Sequence, residues 1–319
     1  MIIVYGPTGV GKSELALTLA RSIHAEIINM DVGQLYTPFS IGTAKPDWRN
    51  ESVPHHLFDV INEPRNFTVM EYREALFTLV QEIRDRGAMP ILVGGSGFYI
   101  KSLFFPPSSD LLTDQNGLPS AIPQGNWDTL HAIDPERARA IQPNDTYRIQ
   151  RALELWIKTG NKPSAYKPVY ENKFGHCHIV HVSRNRDDMY ERINDRVHAM
   201  FDAGWVAEVE QLMQTSWIPF IEKKKLIGYN EIVRYIKEDQ LQILHAPLIE
   251  KIQTRTRNYA RRQIIFWRML EKNITEIQSH NTHTDLTMHT INLTSSDHAI
   301  YLKQLLFDAK RMNVRIENE

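Results

Sequence analysis

Cysteine is nearly absent: Cys177 is the only one in 319 residues. An internal disulfide and a multi-cysteine zinc site are thereby excluded, and the chain suits a reducing compartment. No apolar run approaches the ~20 residues that cross a bilayer, so no membrane association is expected. The first five residues already read as a strand, which leaves no room for a targeting segment, and we expect a cytoplasmic protein. Strong charge of either sign is also lacking, the net charge being −1. Neutrality is not uniform, however. From Lys223 to Arg268 there are eleven basic and four acidic residues, a surplus of about seven. A local positive field of that kind points to a polyanionic partner.

What is present is an alternation of short β runs and helical stretches. "MIIVY" reads as a strand, and "KSELALTLARSI" places Leu15, Leu19 and Ile23 on one helical face. "EIINM" is a second strand, ending at Asp31. Residues 68–87 form a helix stopping at Gly87, and "MPILVGG" is a third strand. This alternation predicts an α/β fold, a parallel sheet flanked by helices. Residues 105–126 are rich in Pro, Gly, Ser and Asn and read as irregular. Helices follow in "WDTLHAIDPERARAI" and in "PNDTYRIQRALELWIKTG", the latter capped by Asn144 or Asp145. No strand returns before 176–183. We therefore expect a small helical insertion domain over 104–175 in a core made of 1–103 and 176–319. Further helices are expected at 187–203, 205–214, 226–237 and 246–270. A tail follows from about 271, with a strand at "HTINL" and a capped helix, "SSDHAIYLKQLLFDAKRM".

The chemistry begins at Gly6-Pro7-Thr8-Gly9-Val10-Gly11-Lys12-Ser13, which satisfies G-x-x-x-x-G-K-[ST] at every fixed position. Glycines let backbone N–H groups close round phosphate oxygens, and the next helix presents its positive end. Lys12 neutralises the phosphate, and the Ser13 hydroxyl takes a place on Mg²⁺. By motif alone such a loop is of the nucleotide- and ATP-binding kind. The usual companions of nucleotide hydrolysis are missing, because "PILVGG" ends in glycines where an acid that holds Mg²⁺ is expected, and no guanine-reading N-K-x-D occurs. The acid at a strand end near the loop is Asp31, where ligands of parallel sheets sit. It either holds the metal through water or acts as a general base on an acceptor. His55 and His56 precede a strand-like "LFDV" and read as structural. The histidines around Cys177 alternate between two strand faces and do not make a zinc site.

In order along the chain stand "GPTGVGKSELALTLA", "EIINMDVGQLYTPFSIGTAKP", "PHHLFDV", "PILVGGSGFYIKSL", "PNDTYRIQRALELWIKTG", "IGYNEI" and "TRTRNYARRQIIFWR". Together they resemble the tRNA dimethylallyltransferases, or tRNA isopentenyltransferases, over most of residues 1–270. The resemblance implies a P-loop NTPase-like fold that hydrolyses no nucleotide. The loop would grip the diphosphate of dimethylallyl diphosphate with Mg²⁺. The prenyl carbon would pass to N6 of the adenosine 3′ of the anticodon, in tRNAs reading codons that begin with U. The partners implied are the tRNA anticodon stem-loop and dimethylallyl diphosphate, with a monomeric enzyme.

The resemblance also implies roles. Gly6, Pro7, Thr8, Gly9, Val10, Gly11, Lys12 and Ser13 would hold the diphosphate, Ser13 also through Mg²⁺. Asp31 would take the N6 proton, and Ser96 would place a hydroxyl near the reacting phosphate or base. Lys12 and Lys225 would add positive charge at the diphosphate. Asp31, Val32, Gly33, Gln34 and Ser96 would meet the tRNA, as would Gln150, Arg151, Ala152, Leu153 and Glu154 of the insertion. Lys225, Arg261, Arg262 and Arg268 complete that set, whereas Trp267 and Phe266 read as core. The chain departs from the family pattern at Val32 and Gly33, where a serine is frequent, at Thr37, and in its short proline-rich insertion. The rival reading is a P-loop phosphotransferase, a nucleotide or small-molecule kinase, which would leave the basic segment without a purpose.

Overall fold

The structure, a computed structural model, describes residues 1–107, 126–166, 169–238, 245–280 and 284–295. The chain divides into two compact units, Met1–Ile100 with Asn172–Glu319, and Lys101–Glu171.

The first unit is built on six strands: β1 (Ile2–Tyr5), β2 (Ala25–Asn29), β3 (His55–His56), β4 (Met89–Gly94), β5 (Cys177–Ser183) and β6 (Leu286–Asn292). They lie in the order β3-β2-β4-β1-β5-β6, every pairing parallel. β1 and β4 are buried at every residue, which is why they read as unbroken apolar runs without alternation. Their register sets Tyr5 beside Gly94 on one side and His181 on the other, so three strand ends line up where the phosphate loop begins. Helix α1 (Lys12–Ser22) follows that loop, and α2 (Val69–Asp85) opens with a capping box between Thr68 and Glu71.

Several boundaries differ from the sequence reading. The histidines themselves form β3, and "LFDV" is not a strand. Leu57 and Asp59 have φ of 58° and 53°, outside the extended region. Asp59 is held there by Lys45, Trp48 and Arg49, which all donate to its carboxylate. The expected third strand is thus the fourth. In the carboxy-terminal half, α7 (Arg186–Asp202) and α8 (Trp205–Leu212) lie close to their predicted places. Helix α9 (Trp217–Lys224) was not anticipated. Pro219 sits in its first turn, where a missing N–H costs nothing, and Trp217, Ile218, Phe220 and Ile221 are buried. Helix α10 (Tyr229–Lys237) starts three residues later than predicted, because Gly228 has φ 82°. Helix α11 (Ala246–His280) runs ten residues beyond the expected end, its buried stripe continuing through Leu270 and Ile274. β6 covers all but Leu293 of the predicted "HTINL", starts three residues earlier, and pairs with β5. The predicted terminal helix lies, from Ser296 on, outside the described residues.

In the second unit, α4 (Trp127–Ile133), α5 (Pro135–Arg139) and α6 (Thr146–Thr159) enclose Leu130, Ala138, Ile141, Ile149, Ala152 and Leu153. Asp145, rather than Asn144, caps α6 by accepting from the Arg148 amide at 3.1 Å, and Gly160 ends it at φ 68°. Helix α3 (Gly97–Phe104) starts in the first unit and ends in the second.

Candidate active site

The phosphate loop joins β1 to α1. Gly9 and Gly11 have φ of 87° and 96°, which side chains with a Cβ rarely adopt. Arginines from beyond β5 fix the loop from outside. Arg184 Nε donates to the Val10 carbonyl at 2.9 Å, and Arg192 Nε to the Gly9 carbonyl at 3.1 Å. Because a trans peptide points its N–H opposite its C=O, the Val10 and Gly11 amides point away from these two arginines. Lys12 is buried, with Nζ on the Pro7 carbonyl at 3.0 Å. The Thr8 amide is not free for a ligand, as it donates to Gln263 Oε1 at 2.9 Å. What Thr8 offers is its hydroxyl, which accepts from Arg196 Nη2 and keeps its own hydrogen for an anion.

Positive charge is concentrated here without a full complement of acids. Burial lowers the pKa of Lys12 and of Arg196 from their ordinary values, with Asp31 acting in the opposite direction on each. The Arg196 Nε is shut off from solvent and has no hydrogen-bond partner among the described residues. Two under-neutralised cations, Lys12 buried and Arg196 half-buried, beside a phosphate loop are the electrostatic outline of an anion site.

Asp31 lines the same cavity as Lys12 and Arg196, two residues beyond Asn29, the end of β2. Asn29 aligns it, accepting the Asp31 amide at 2.8 Å and donating to the Asp31 carbonyl at 3.1 Å. The Asp31 Oδ1 accepts from the Gly95 amide at 2.7 Å and from the Ser96 hydroxyl at 3.5 Å. Both bonds fall on one oxygen, which leaves Oδ2 for a substrate. Ser96 is itself engaged. Its Oγ also accepts the Val32 amide at 3.2 Å, so it holds the Asp31–Val32 corner. Gln263 completes the frame. While its oxygen holds Thr8, its Nε2 donates to the Gly95 carbonyl at 2.7 Å, tying the loop to the end of β4.

These residues face a cavity of about 410 Å³, whose lining includes Thr8, Lys12, Asp31, Gln34, Arg196 and Lys225. Val32, Gly33, Ser96, Tyr259 and Arg262 are on the same wall. An adjoining cavity of about 230 Å³ is lined by Ser13, and by Asp31 and Gln34 again. Lys225 reaches the main cavity from a left-handed turn at φ 51°, its carbonyl accepting from Arg255 at 3.5 Å. Arg255 in turn pairs with buried Glu231.

The remaining expected nucleic-acid residues are dispersed. Arg261 and Arg268 do not share the cavity of Arg262. They line a separate cavity of about 440 Å³ with Pro7 and His181, because positions seven apart lie on one helix face and their neighbour on another. Ala152 and Leu153 are core residues of the second unit, whereas Arg151, exposed and paired with Glu154 at 2.8 Å, is at the surface. Trp267 is buried against His181, ring centroids 4.5 Å apart, as a core residue. Sequence reasoning passed over Arg184, Arg192, Arg196, Tyr259 and Gln263. The only available signal was the one-turn spacing of Arg192 and Arg196 in a helix leaving a sheet strand.

As to the metal, no group of three or more His, Cys, Asp or Glu suited to holding an ion occurs among the described residues. Mg²⁺ takes one or two protein oxygens and fills its octahedron with phosphate oxygens and water. The Ser13 hydroxyl would supply such an oxygen, and Asp31, on the same cavity, would be reached through water.

A parallel sheet, a phosphate loop between a central strand, β1, and the first helix, and an acid just past the end of β2, two strands away, together define a P-loop protein. The sequence profile of the IPP transferase family matches residues 34–270. The tRNA dimethylallyltransferase of Petrotoga mobilis is 38% identical over 282 residues, 85% of this chain and 91% of that one. That of Geobacter sulfurreducens is 37% identical, covering 84% and 88%. A crystal structure of a eukaryotic dimethylallyltransferase acting on tRNA superposes with a TM-score of 0.74 at 27% identity, covering 93% of this chain and 75% of that one. The chain belongs to the IPP transferase family.

Proposed function

We propose that this enzyme transfers the dimethylallyl group of dimethylallyl diphosphate to N6 of the adenosine 3′-adjacent to a tRNA anticodon, releasing diphosphate. The observation that carries the reading is that two cations, Lys12 buried and Arg196 half-buried, share one cavity with a single carboxylate, Asp31. A kinase on this loop needs an acid for Mg²⁺ and a nucleotide base pocket. Here, among the described residues, Asp31 is the one carboxylate lining the main cavity, anchored through Oδ1 by Gly95 and Ser96 with Oδ2 left for the acceptor.

In the reaction the allylic C–O bond breaks and its electron pair leaves with the diphosphate. The N6 lone pair forms the new C–N bond, and an N6 proton passes to Asp31 Oδ2. An aromatic amine is a weak nucleophile, so stabilising the leaving group dominates. Lys12, Arg196, Lys225, the Thr8 hydroxyl and the amides of the loop supply that stabilisation. Mg²⁺, held through Ser13 and the diphosphate, would add further charge neutralisation when bound. Water must be kept from the reacting centre, since it would otherwise capture the allylic carbon. To reach Asp31 the target base must leave its stack. The excess of arginine and lysine over 223–268 and the exposed Arg151 supply charge for the anticodon stem-loop. We further propose a cytoplasmic, monomeric enzyme; among the described residues no helix is long and apolar enough to cross a membrane.

The test is direct. Purified protein with Mg²⁺, dimethylallyl diphosphate and an unmodified anticodon stem-loop should yield N6-(dimethylallyl)adenosine by mass spectrometry. Consumption of ATP with no prenylated nucleoside would overturn the proposal in favour of the kinase.

A further inference from the structure

Glu208 lies on α8, outside the phosphate loop and away from Asp31 in sequence, yet it is the most heavily hydrogen-bonded carboxylate near the cavity. Its Oε2 accepts the backbone amides of Ser40 at 3.2 Å and Ile41 at 2.7 Å. Its Oε1 accepts the amide of Gly42 at 3.4 Å and the hydroxyl of Tyr229 at 2.6 Å. Three consecutive amides converging on one carboxylate form an anion nest, filled from within the protein. The turn so gripped is a short 3-10 segment, Ile41–Thr43, that closes with Ala44 at φ 50°. It is pressed on the Trp205 ring, since a Cβ on Gly42 would fall 2.1 Å from Trp205 Nε1.

The other end of this turn controls a residue of the acceptor wall. Gln34 Nε2 donates to the Thr43 carbonyl at 3.0 Å and to the Ala44 carbonyl at 3.2 Å. Both hydrogens of the amide are thereby used, and its orientation is set: Oε1 is the polar atom left to meet a ligand. Gly33 is packed on the same turn, a Cβ there lying 2.8 Å from Thr43 Cγ2. Gln34 lines both cavities, as Asp31 does three residues earlier.

We propose that Glu208 is a positioning residue for RNA recognition: by clamping the turn at 40–44 it locks Gln34 with its oxygen as a dedicated acceptor for an N–H donor on a nucleobase. The proposal rests on the prenyl-transfer reading above and adds to it a specific wall and its support. A base presenting a carbonyl to Gln34 is rejected, because two acceptors face each other and neither is satisfied. The diphosphate half of the site, built by Lys12, Arg196 and the loop amides, does not depend on this clamp.

The experiment is steady-state dimethylallyl transfer to an unmodified anticodon stem-loop, with each substrate varied in turn. Glu208→Gln places an amide donor among backbone donors and should raise KM for the RNA about tenfold, the effect of one lost hydrogen bond to a charged group. KM for dimethylallyl diphosphate should stay within about twofold, a change too small to signify a lost hydrogen bond. Glu208→Asp, which keeps the charge, should recover part of the loss. Gln34→Ala should raise the RNA KM similarly, and the double variant should be no worse than Gln34→Ala alone, since both remove one interaction. Should Glu208→Gln fail to fold, Gln34→Glu in the otherwise intact chain sets an oxygen against the Thr43 and Ala44 carbonyls and should reproduce the RNA effect. Multiplying effects in the double variant, an unchanged RNA KM in Gln34→Glu, or an equal rise in both KM values would overturn the proposal. A wild-type chain that prenylates no RNA would instead overturn the functional reading.

Discussion

Arg196 of helix α7 donates through Nη2 to the hydroxyl of Thr8, 188 residues earlier in the chain. The contact brings a second-half cation into a first-half phosphate loop. If it serves the diphosphate, Arg196→Ala should raise KM for dimethylallyl diphosphate by about tenfold or more, the loss of a charged hydrogen bond being worth about 1.5–3 kcal/mol. Arg196→Lys should restore only part of it, because an ammonium lacks the guanidinium's fork. Isothermal titration with a non-reactive diphosphate analogue checks both.

Asp31 is expected to behave differently. Asp31→Ala or Asp31→Asn should lower kcat by about 10²–10⁴, the usual contribution of a positioned general base, and leave diphosphate affinity nearly intact. Single-turnover kinetics with saturating RNA separates the two quantities. A loss confined to diphosphate binding would reassign Asp31 to the metal.

Gly228→Ala should destabilise the fold. Its backbone has φ 82°, and a Cβ there would lie 1.8 Å from the Trp205 ring. Overpacking of a buried site costs about 1–3 kcal/mol, before the strain of the backbone is added. A urea midpoint shifted to lower concentration, with m unchanged, is the expected signature.

His181 supplies a pH dependence. Burial lowers its pKa from the model-compound 6.5 to about 4, and the nearby Lys12 pushes the same way. Between those values the unfolded chain binds a proton that the folded chain refuses, so this contribution to stability is complete above pH 6.5 and is lost as pH falls toward 4. At 1.36 kcal/mol per unit the span amounts to about 3 kcal/mol. In His181→Phe, which keeps a ring on Trp267, the unfolding free energy should fall less steeply over that interval. A slope identical to wild type would show that His181 does not titrate there.

The phosphate loop was legible because it is local. Its glycines, Lys12 and Ser13 are consecutive, and the flanking strand and helix are set by short-range pattern. Asp31 was legible for a related reason, as the acid at the tip of an apolar strand. Ser96 was found as a neighbour of the site, and only the folded chain shows that its hydroxyl also meets Val32 and Asp31. Helix α9 escaped because Pro219 resembles a break until its place in the first turn is known.

By itself the sequence determined the β–α alternation, the anion-binding loop, the carboxylate just past the end of β2 and the basic character of the carboxy-terminal helices. These follow from backbone preference, hydrophobic period and charge, which act between near neighbours. Only the tertiary structure decided that Arg184, Arg192 and Arg196 brace the loop, that Gln263 links Thr8 to Gly95, and that Arg261 and Arg262 serve different cavities. Those relationships join residues far apart in the chain, and their partners are chosen by how helices pack on a sheet, a geometry that no local stretch encodes.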